Sequence, residues 1–515
     1  MAQRRRRLIF NNDGDDIFRI GKDGKPDSLL SDKKTGSYPM TPEGLLDVRT
    51  TNLAGSHVDA IWYWGSNGMK LFFDQNSSFG QLYCVEQGPY YKRGFATHKE
   101  LVDNYGKDNL EIMIDFCHEQ GWEIFYSNRM NDTHESIFDN RMQCLKLEHP
   151  DWCIGTRTEG KKHLYPDQRS LWAAYNFEIP QIRQLTVDAL REVCQNYDID
   201  GIELDYWRHL INFPEMAQNK PVTPDHLDLM NQLMRDIRKM TEEEGLKRGR
   251  PILITGRCVE DVEVSKTSGL DLQTWLDEDL VDIISLTCAS EYSPPINSIT
   301  QLADKTDVPV YPMISSCDIA TNDSIPDQQK RRGNLPVWRG DALNKFEQGA
   351  AGLQMFNFFD PTLKQWQELG EPKKLRTLDR TYVWDYLPSQ RQGRDTFGAL
   401  RVTRHRWPVI VTENSCEPLP LYIGEDLSSP DNRSQDRKLT LRVRIQYLSR
   451  QHGLTITVNG EILTPSAYLP ELADAPCEIW IQYNNLKSDL FKKGENLITI
   501  KVMQQTGEPV QVDQL

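Results

Sequence analysis

Long apolar runs are missing from this sequence. No stretch approaches the roughly 18 residues that a membrane-spanning helix needs, so no such helix is expected. The basic start, Arg4 to Arg7, is followed only by Leu8-Ile9-Phe10 before Asn11-Asn12-Asp13. That is too short for a secretory h-region. The expected location is cytoplasmic, or secreted or periplasmic if a leader has been removed. A basic excess is also missing. Lys+Arg total 60 against 75 Asp+Glu, a net charge of −15. A nucleic-acid binder needs a cationic face to displace counterions, and an anionic membrane attracts one, so neither partner is expected. Cysteine is sparse, ten residues with no C-x-x-C. A structural zinc site is therefore not expected, and a reducing compartment fits. No Gly-rich phosphate loop, no G-x-S-x-G and no H-x-H after the first strand occurs. Those gaps argue against a dinucleotide fold, a serine nucleophile and a metal-dependent hydrolase. No cofactor and no metal is expected.

What is present is an alternation. Eight short apolar runs recur: Leu8–Phe10, Val58–Trp64, Trp122–Tyr126, Ile199–Tyr206, Ile252–Thr255, Val281–Leu286, Val308–Pro312 and Gly352–Phe359. The spacing between them admits a helix each time, as parallel strands require. Leu101–Gln120 reads as one helix ending at Gly121. Ile182–Tyr197 follows Pro180. Thr223-Pro224-Asp225 opens a helix to about Glu244, and Leu270–Leu276 begins another. Eight such units in series predict an α/β fold, a (β/α)8 TIM barrel; a doubly wound open sheet is the alternative.

From about residue 396 the grammar changes. Alternating runs at Leu439–Ile445, Leu454–Val458, Glu478–Ile481 and Leu497–Val502 are separated by turns such as Asn459-Gly460. A small C-terminal antiparallel β-sandwich is expected. The expected domains are 1–390, the catalytic barrel, and 391–515, an accessory sandwich. About 55 residues separate the third strand from the helix near Ile182. A loop of that kind sits at the C-terminal mouth of a barrel, where active sites are built.

The sharpest segment is Tyr197-Asp198-Ile199-Asp200-Gly201-Ile202-Glu203-Leu204-Asp205-Tyr206-Trp207-Arg208-His209. Strand alternation puts Gly201, Glu203, Asp205 and Trp207 on one face and Ile202, Leu204 and Tyr206 on the other. The apolar set must meet the outer helices, so the carboxylates point inward. Glu203 and Asp205 lie about 6.6 Å apart along the strand. At that separation each favours a proton on the other, which is one way to obtain an acid and a base from one site. The competing reading is that both acids merely bind arginines and shape the mouth.

Other polar residues recur just past strand ends. They include Asp13, Asn128, Arg129, Arg208, His209, Arg257, Glu291 and Asp360. Trp64 and Trp207 stand at strand ends as candidate platforms for the flat faces of sugars; many of the twelve tryptophans are core. A carbohydrate substrate follows, and the oligomeric state is left open. The arginines in an otherwise acidic chain suggest an acidic, uronic or sulfated sugar.

The run Ala174-Tyr175-Asn176-Phe177-Glu178-Ile179-Pro180-Gln181-Ile182-Arg183, with the Tyr197–Tyr206 segment, resembles the family-ten-like glycosyl hydrolases. Their signature is N-P-E-V-R, then Y-D-V-D-G-I-x-x-D. His149-Pro150-Asp151-Trp152 is similar to their H-P-E-W loop. The resemblance implies a TIM-barrel glycosidase. By similarity to barrels that attack α-glycosides, Asp205 would be nucleophile or charge stabiliser, with Glu291 or Glu203 as acid/base. The segment also resembles the D-G-x-D-x-D-x-E strand of family-eighteen chitinases. Trp207 stands where their final glutamate would be, so a substrate-assisted mechanism is disfavoured. The expected function is a glycoside hydrolase; the alternative is a non-catalytic carbohydrate-binding barrel.

Overall fold

The computed structural model of the chain describes residues 3–20, 38–67, 70–71, 89–133, 144–156, 158, 172–218, 220–287, 293–315, 335–356, 358–385, 396–397, 400–401, 409–413, 418–429, 438–504, 507 and 509–515. Eight parallel strands form a closed barrel: β1 Leu8–Asn12, β2 Val58–Asn67, β3 Glu123–Arg129, β4 Gly201–Asp205, β5 Leu253–Val259, β6 Ile283–Thr287, β7 Val310–Ser315 and β8 Leu353–Phe356. Each pairs with the next in sequence, and β1 pairs with both β2 and β8, which closes the ring. The open-sheet alternative is thereby excluded.

The register stacks the interior in tiers. Ile9, Ala60, Trp62, Phe125, Leu253, Ile283 and Tyr311 fill the floor as one apolar cluster. Gly201 lies in register with Phe125 and Leu253. A Cβ there would meet the Phe125 ring at 2.4 Å, so glycine lets that ring fill the axis. The basic N-terminus belongs to the same end. Arg6 is wholly buried and pairs with Glu123, with Nε 2.6 Å from Oε2. Facing outward, Ile61, Ile124, Ile202, Leu204, Ile254 and Ile284 join the large core beneath the helices. Burial on both faces explains why these strands read as nearly continuous apolar runs.

Helices α1 (Pro89–Tyr105) and α2 (Asn109–Glu119) replace the single helix expected at Leu101–Gln120. Gly106 takes φ +67°. Asp108 then caps α2, accepting the Glu111 N–H at 2.9 Å while Glu111 returns a bond to the Asp108 N–H. The local cap wins over the continuous apolar spacing. Helices α3 (Pro180–Asn196) and α4 (Pro224–Arg248) match expectation, α4 with a Thr223 cap and Gly249 at φ +77°. Among the described residues no helix is long and apolar enough to cross a membrane.

Among the described residues the C-terminal part holds a short hairpin, Thr396–Phe397 with Leu400–Arg401, and two larger antiparallel sheets. One is ordered β9 (Val409–Val411), β17 (Val510–Gln514), β11 (Leu439–Leu448), β15 (Cys477–Leu486), β14 (Ala467–Leu469). The other is β10 (Pro418–Ile423), β16 (Gly494–Val502), β12 (Leu454–Val458), β13 (Glu461–Ile462). Asn459 and Gly460 both take positive φ in the two-residue hairpin between β12 and β13, as its twist demands. Alternate residues of both sheets form a separate core that also takes in Trp384. The sheets meet the barrel side at Asn344, which donates to the Tyr422 carbonyl and accepts the Gly424 N–H.

Candidate active site

Above the apolar floor the barrel interior turns polar. The next tier carries Asn11, Ser127, Glu203, Thr255, Ser285 and Gln354, all buried. A barrel core of this kind normally holds branched apolar side chains. Glu203 sits in that tier with donors around it. Oε2 accepts from Asn11 Nδ2 at 3.3 Å, Oε1 accepts from Gln354 Nε2 at 3.0 Å, and Ser127 adds a side-chain bond. Burial pushes its proton affinity well above the ordinary carboxylate range. The nearby Asp205 charge adds to this and Arg257 opposes it.

The top tier is ionic. Arg129, Asp205 and Arg257 lie side by side in register on β3, β4 and β5. Asp205 is buried. Its Oδ1 accepts the backbone N–H groups of Trp207 (3.0 Å) and Arg208 (3.1 Å), and its Oδ2 accepts from Arg257 Nη1 at 3.2 Å. Arg257 is fully buried, with its guanidinium 4.6 Å from the Phe356 ring and Nη2 against Met313 Sδ. Arg129 donates to Asp132 Oδ2 (2.8 Å) and Asp13 Oδ1 (3.0 Å). Burial works against its charge, but Asp132 and Asp13 outweigh burial and hold it firmly protonated. Arg208 shares this surrounding; burial, then the neighbouring Arg129, lowers its proton affinity. His209 accepts the Thr133 N–H at Nδ1 (3.3 Å), close to Asp132.

The structure thus gathers Asp13, Arg129, Trp207, Arg208, His209 and Arg257 around Asp205 at the mouth. Others of the expected set lie elsewhere. Asn128 alternates to the helix side of β3 and donates to Met130 Sδ. Asp360 accepts the Thr362 N–H and hydroxyl in a tight turn. Trp64 is buried, and the Arg129 guanidinium covers its ring at 4.0 Å, so it offers that face to no sugar. Trp207 keeps partial exposure. Glu291 lies outside the described residues. Asn11 and Asp132 stood among the polar residues past the first and third strands without a role of their own; Gln354 and Arg49 carried no signal.

Among the described residues one grouping has metal-ligand spacing: Glu178, Glu215 and His226, with ligand atoms within 4.8 Å. His226 Nδ1 accepts the Thr223 N–H at 3.0 Å, which leaves the proton on Nε2. That nitrogen sits 3.1 Å from Glu178 and acts as a donor. A metal would need its lone pair, so the grouping fits a helix cap and not an ion.

Residues 73–222 match the family model described as Glycosyl hydrolase-like 10. The match spans β3, the long loop, α3 and β4, the segment holding Arg129, Glu203 and Asp205. No curated protein matches the chain. Solved structures with a likeness include the alpha-L-fucosidase isoenzyme 2 from Paenibacillus thiaminolyticus, at 13% identity and TM-score 0.39, over 73% of this chain and 49% of that one. The chain therefore spans about half that enzyme's length. A family 18 N-acetylglucosaminidase from Paenibacillus barengoltzii shares 12% over 64% of this chain and 98% of its own, TM-score 0.37. The alpha-amylase from Geobacillus thermoleovorans shares 11% over 97% and 99%, TM-score 0.36. Likenesses this faint carry no inference about substrate.

Proposed function

We propose that the protein is a glycoside hydrolase whose substrate enters the barrel mouth. The observation that carries this is the inward carboxylate pair on β4, inside the segment that matches Glycosyl hydrolase-like 10. In this reading Asp205, at the strand end, is the carboxylate that faces the anomeric carbon. Three fixed donors set its orientation without rearrangement during reaction. Glu203 lies a tier deeper, with burial raising its proton affinity; a group so enclosed serves by tuning Asp205. The proton for the leaving oxygen is assigned to Glu291. Trp207 supplies a ring platform, and the Asp13–Arg129 pair reads sugar hydroxyls with an acceptor and a donor side by side. His209 and Arg208 complete the rim.

An acidic sugar is the weaker version of this reading. Arg129 is matched by Asp13 and Asp132, and Arg257 by Asp205, so the positive groups that suggested it already have protein partners. A non-catalytic carbohydrate-binding barrel is the second reading. It is favoured by the fact that both Asp205 oxygens are engaged by protein donors.

The test is a screen of nitrophenyl α- and β-glycosides and of neutral and sulfated oligosaccharides, with products followed by NMR. Wild-type turnover that Asp205→Asn abolishes supports the enzyme. Binding without turnover in either form supports the second reading.

A further inference from the structure

Asp13 accepts from Arg129 at 3.0 Å out of a loop that is itself tied down. It sits in the loop Asn12-Asp13-Gly14-Asp15-Asp16 at the end of β1. Gly14 takes φ +63°, and a Cβ on it would lie 2.1 Å from the Trp64 carbonyl oxygen, so the loop is pressed against β2. Asn12 Oδ1 accepts the Gly14 N–H at 3.0 Å, and Asn12 Nδ2 donates to Asp16 Oδ2 at 2.8 Å.

Arg49 organises what remains. It arrives from the connection before β2 and is 2% exposed. Its Nη1 reaches Asn12 Oδ1 (3.3 Å), Asp15 Oδ1 and Asp16 Oδ1 (3.4 Å). These are the residues on either side of Asp13, while Asp13 itself turns to Arg129. The Arg49 guanidinium also lies 4.0 Å from the Phe359 ring, in the loop after β8. One cation therefore holds the β1 loop from both flanks and ties it to the loop on the other side of the barrel seam. Asp15 and Asp16 show how tightly. Burial opposes charge on both; Arg49 with Arg19 overcomes it at Asp15, held near 2, but not at Asp16, held near 6.

We propose that Arg49 is a positioning residue, which fixes Asp13 against Arg129 so that the pair meets a sugar hydroxyl in one geometry. This rests on the reading of the mouth as a carbohydrate site. Loop order and substrate use then have to fall together, and the loss has to pass through Asp13.

The experiment compares wild type, Arg49→Lys, Asp13→Asn and the double variant. Lysine keeps the charge and loses the planar guanidinium, which lies over the Phe359 ring while its Nη1 meets all three acceptors. One arm needs no substrate: hydrogen exchange of peptides covering 11–16 and 358–362. Arg49→Lys is expected to speed exchange there at least tenfold and to leave the β4–β6 strands unchanged. The second arm uses the best nitrophenyl glycoside of the screen. Arg49→Lys is expected to lower kcat/KM about 10- to 100-fold, mostly through KM, with the double variant within twofold of Asp13→Asn alone. Unchanged exchange in 11–16, or losses that multiply in the double variant, would overturn the proposal. If no glycoside is turned over by wild type, the enzyme reading fails and the exchange arm still decides for or against Arg49. Should Arg49→Lys not fold, Asp16→Asn removes one of its anchors and is expected to loosen the same two peptides; no loosening counts against.

Discussion

Asp205→Asn separates chemistry from architecture once it is paired with a second substitution. The asparagine oxygen can keep the N–H bonds of Trp207 and Arg208, at 3.0 and 3.1 Å. Its amide nitrogen then faces Arg257 Nη1, donor against donor. Arg257 is wholly buried; a thioether and a ring face contact it, and Glu203 is the carboxylate left near it. Removing one partner of such a buried pair typically costs about 3–5 kcal/mol. In a unit of this size that is a fall in Tm of roughly 6–10 °C, at the low end of the range for large domains. Arg257→Met alone leaves Asp205 with its two backbone donors and costs less. The double variant replaces a buried pair by neutral groups beside Met313, a change that is often close to neutral. Most of the lost stability should return.

Turnover should not return. If Asp205 faces the reacting carbon, losing it costs on the order of 10²–10⁴ in kcat, whatever becomes of Arg257. The assay is thermal unfolding and kcat/KM on the same preparations of four proteins. Activity that recovers with stability in the double variant, to a tenth of wild type or more, would refute the catalytic assignment. Asp205 would then be a partner of Arg257 and nothing else.

Three further outcomes are expected. Gly14→Ala puts a Cβ 2.1 Å from the Trp64 carbonyl at φ +63°; a loss of about 1–3 kcal/mol and a fall in kcat/KM should appear together in unfolding and rate measurements. Trp207→Ala should raise KM about tenfold through roughly 1–2 kcal/mol of lost apolar contact with little change in kcat; an unchanged KM would remove Trp207 as a platform. Asp108 is buried under the Tyr197 hydroxyl (2.6 Å), and burial pushes it up to about 7 in the fold against about 3.9 unfolded. Its protonated form is the one the fold prefers. The stability it contributes is complete below about pH 4 and is lost as pH rises through 7. Urea unfolding at pH 5 and 8 should find Asp108→Asn more stable than wild type only at pH 8.

The barrel was legible because parallel strands are buried on both faces and announce themselves as apolar runs. The same rule blurred the part that matters. The third strand was read to Tyr126 and extends to Arg129; the fifth was read to Thr255 and extends to Val259; the first was read to Phe10 and extends to Asn12. Each extension carries a polar inward residue at the mouth, Arg129, Arg257 and Asn11. Arg129, Arg257 and Asn11 therefore read as loop residues, whereas they are strand residues in fixed register. Hydropathy loses a strand where the strand starts to serve a site. The inward aim of Glu203 and Asp205 survived because Ile202 and Leu204 between them kept the alternation. Their partners did not, because Asn11 and Gln354 come from strands 192 and 151 residues away. Trp64 failed as a platform for the same reason: Arg129, from another strand, lies on its ring.

The charge balance of the mouth follows from these pairings. Arg49, Arg129 and Arg257 are buried, and each meets at least one aspartate: Asp15 and Asp16, Asp13 and Asp132, and Asp205. A buried cation needs such partners. Asp132 and Asp16 have fully buried side chains, whereas Asp13 keeps part of its surface exposed. On the proposed reading, an incoming ligand would meet matched donor and acceptor groups at Asp13 and Arg129, a partly exposed ring at Trp207 and the imidazole of His209. It does not meet an uncompensated positive field at Arg129 or Arg257. Paired groups of that kind suit hydroxyls, which donate and accept at once, better than they suit a carboxylate or sulfate. This supports a neutral sugar at the Asp13–Arg129 pair. It also places the cost of accepting an anionic one on Asp13, whose charge an anion would have to displace from Arg129.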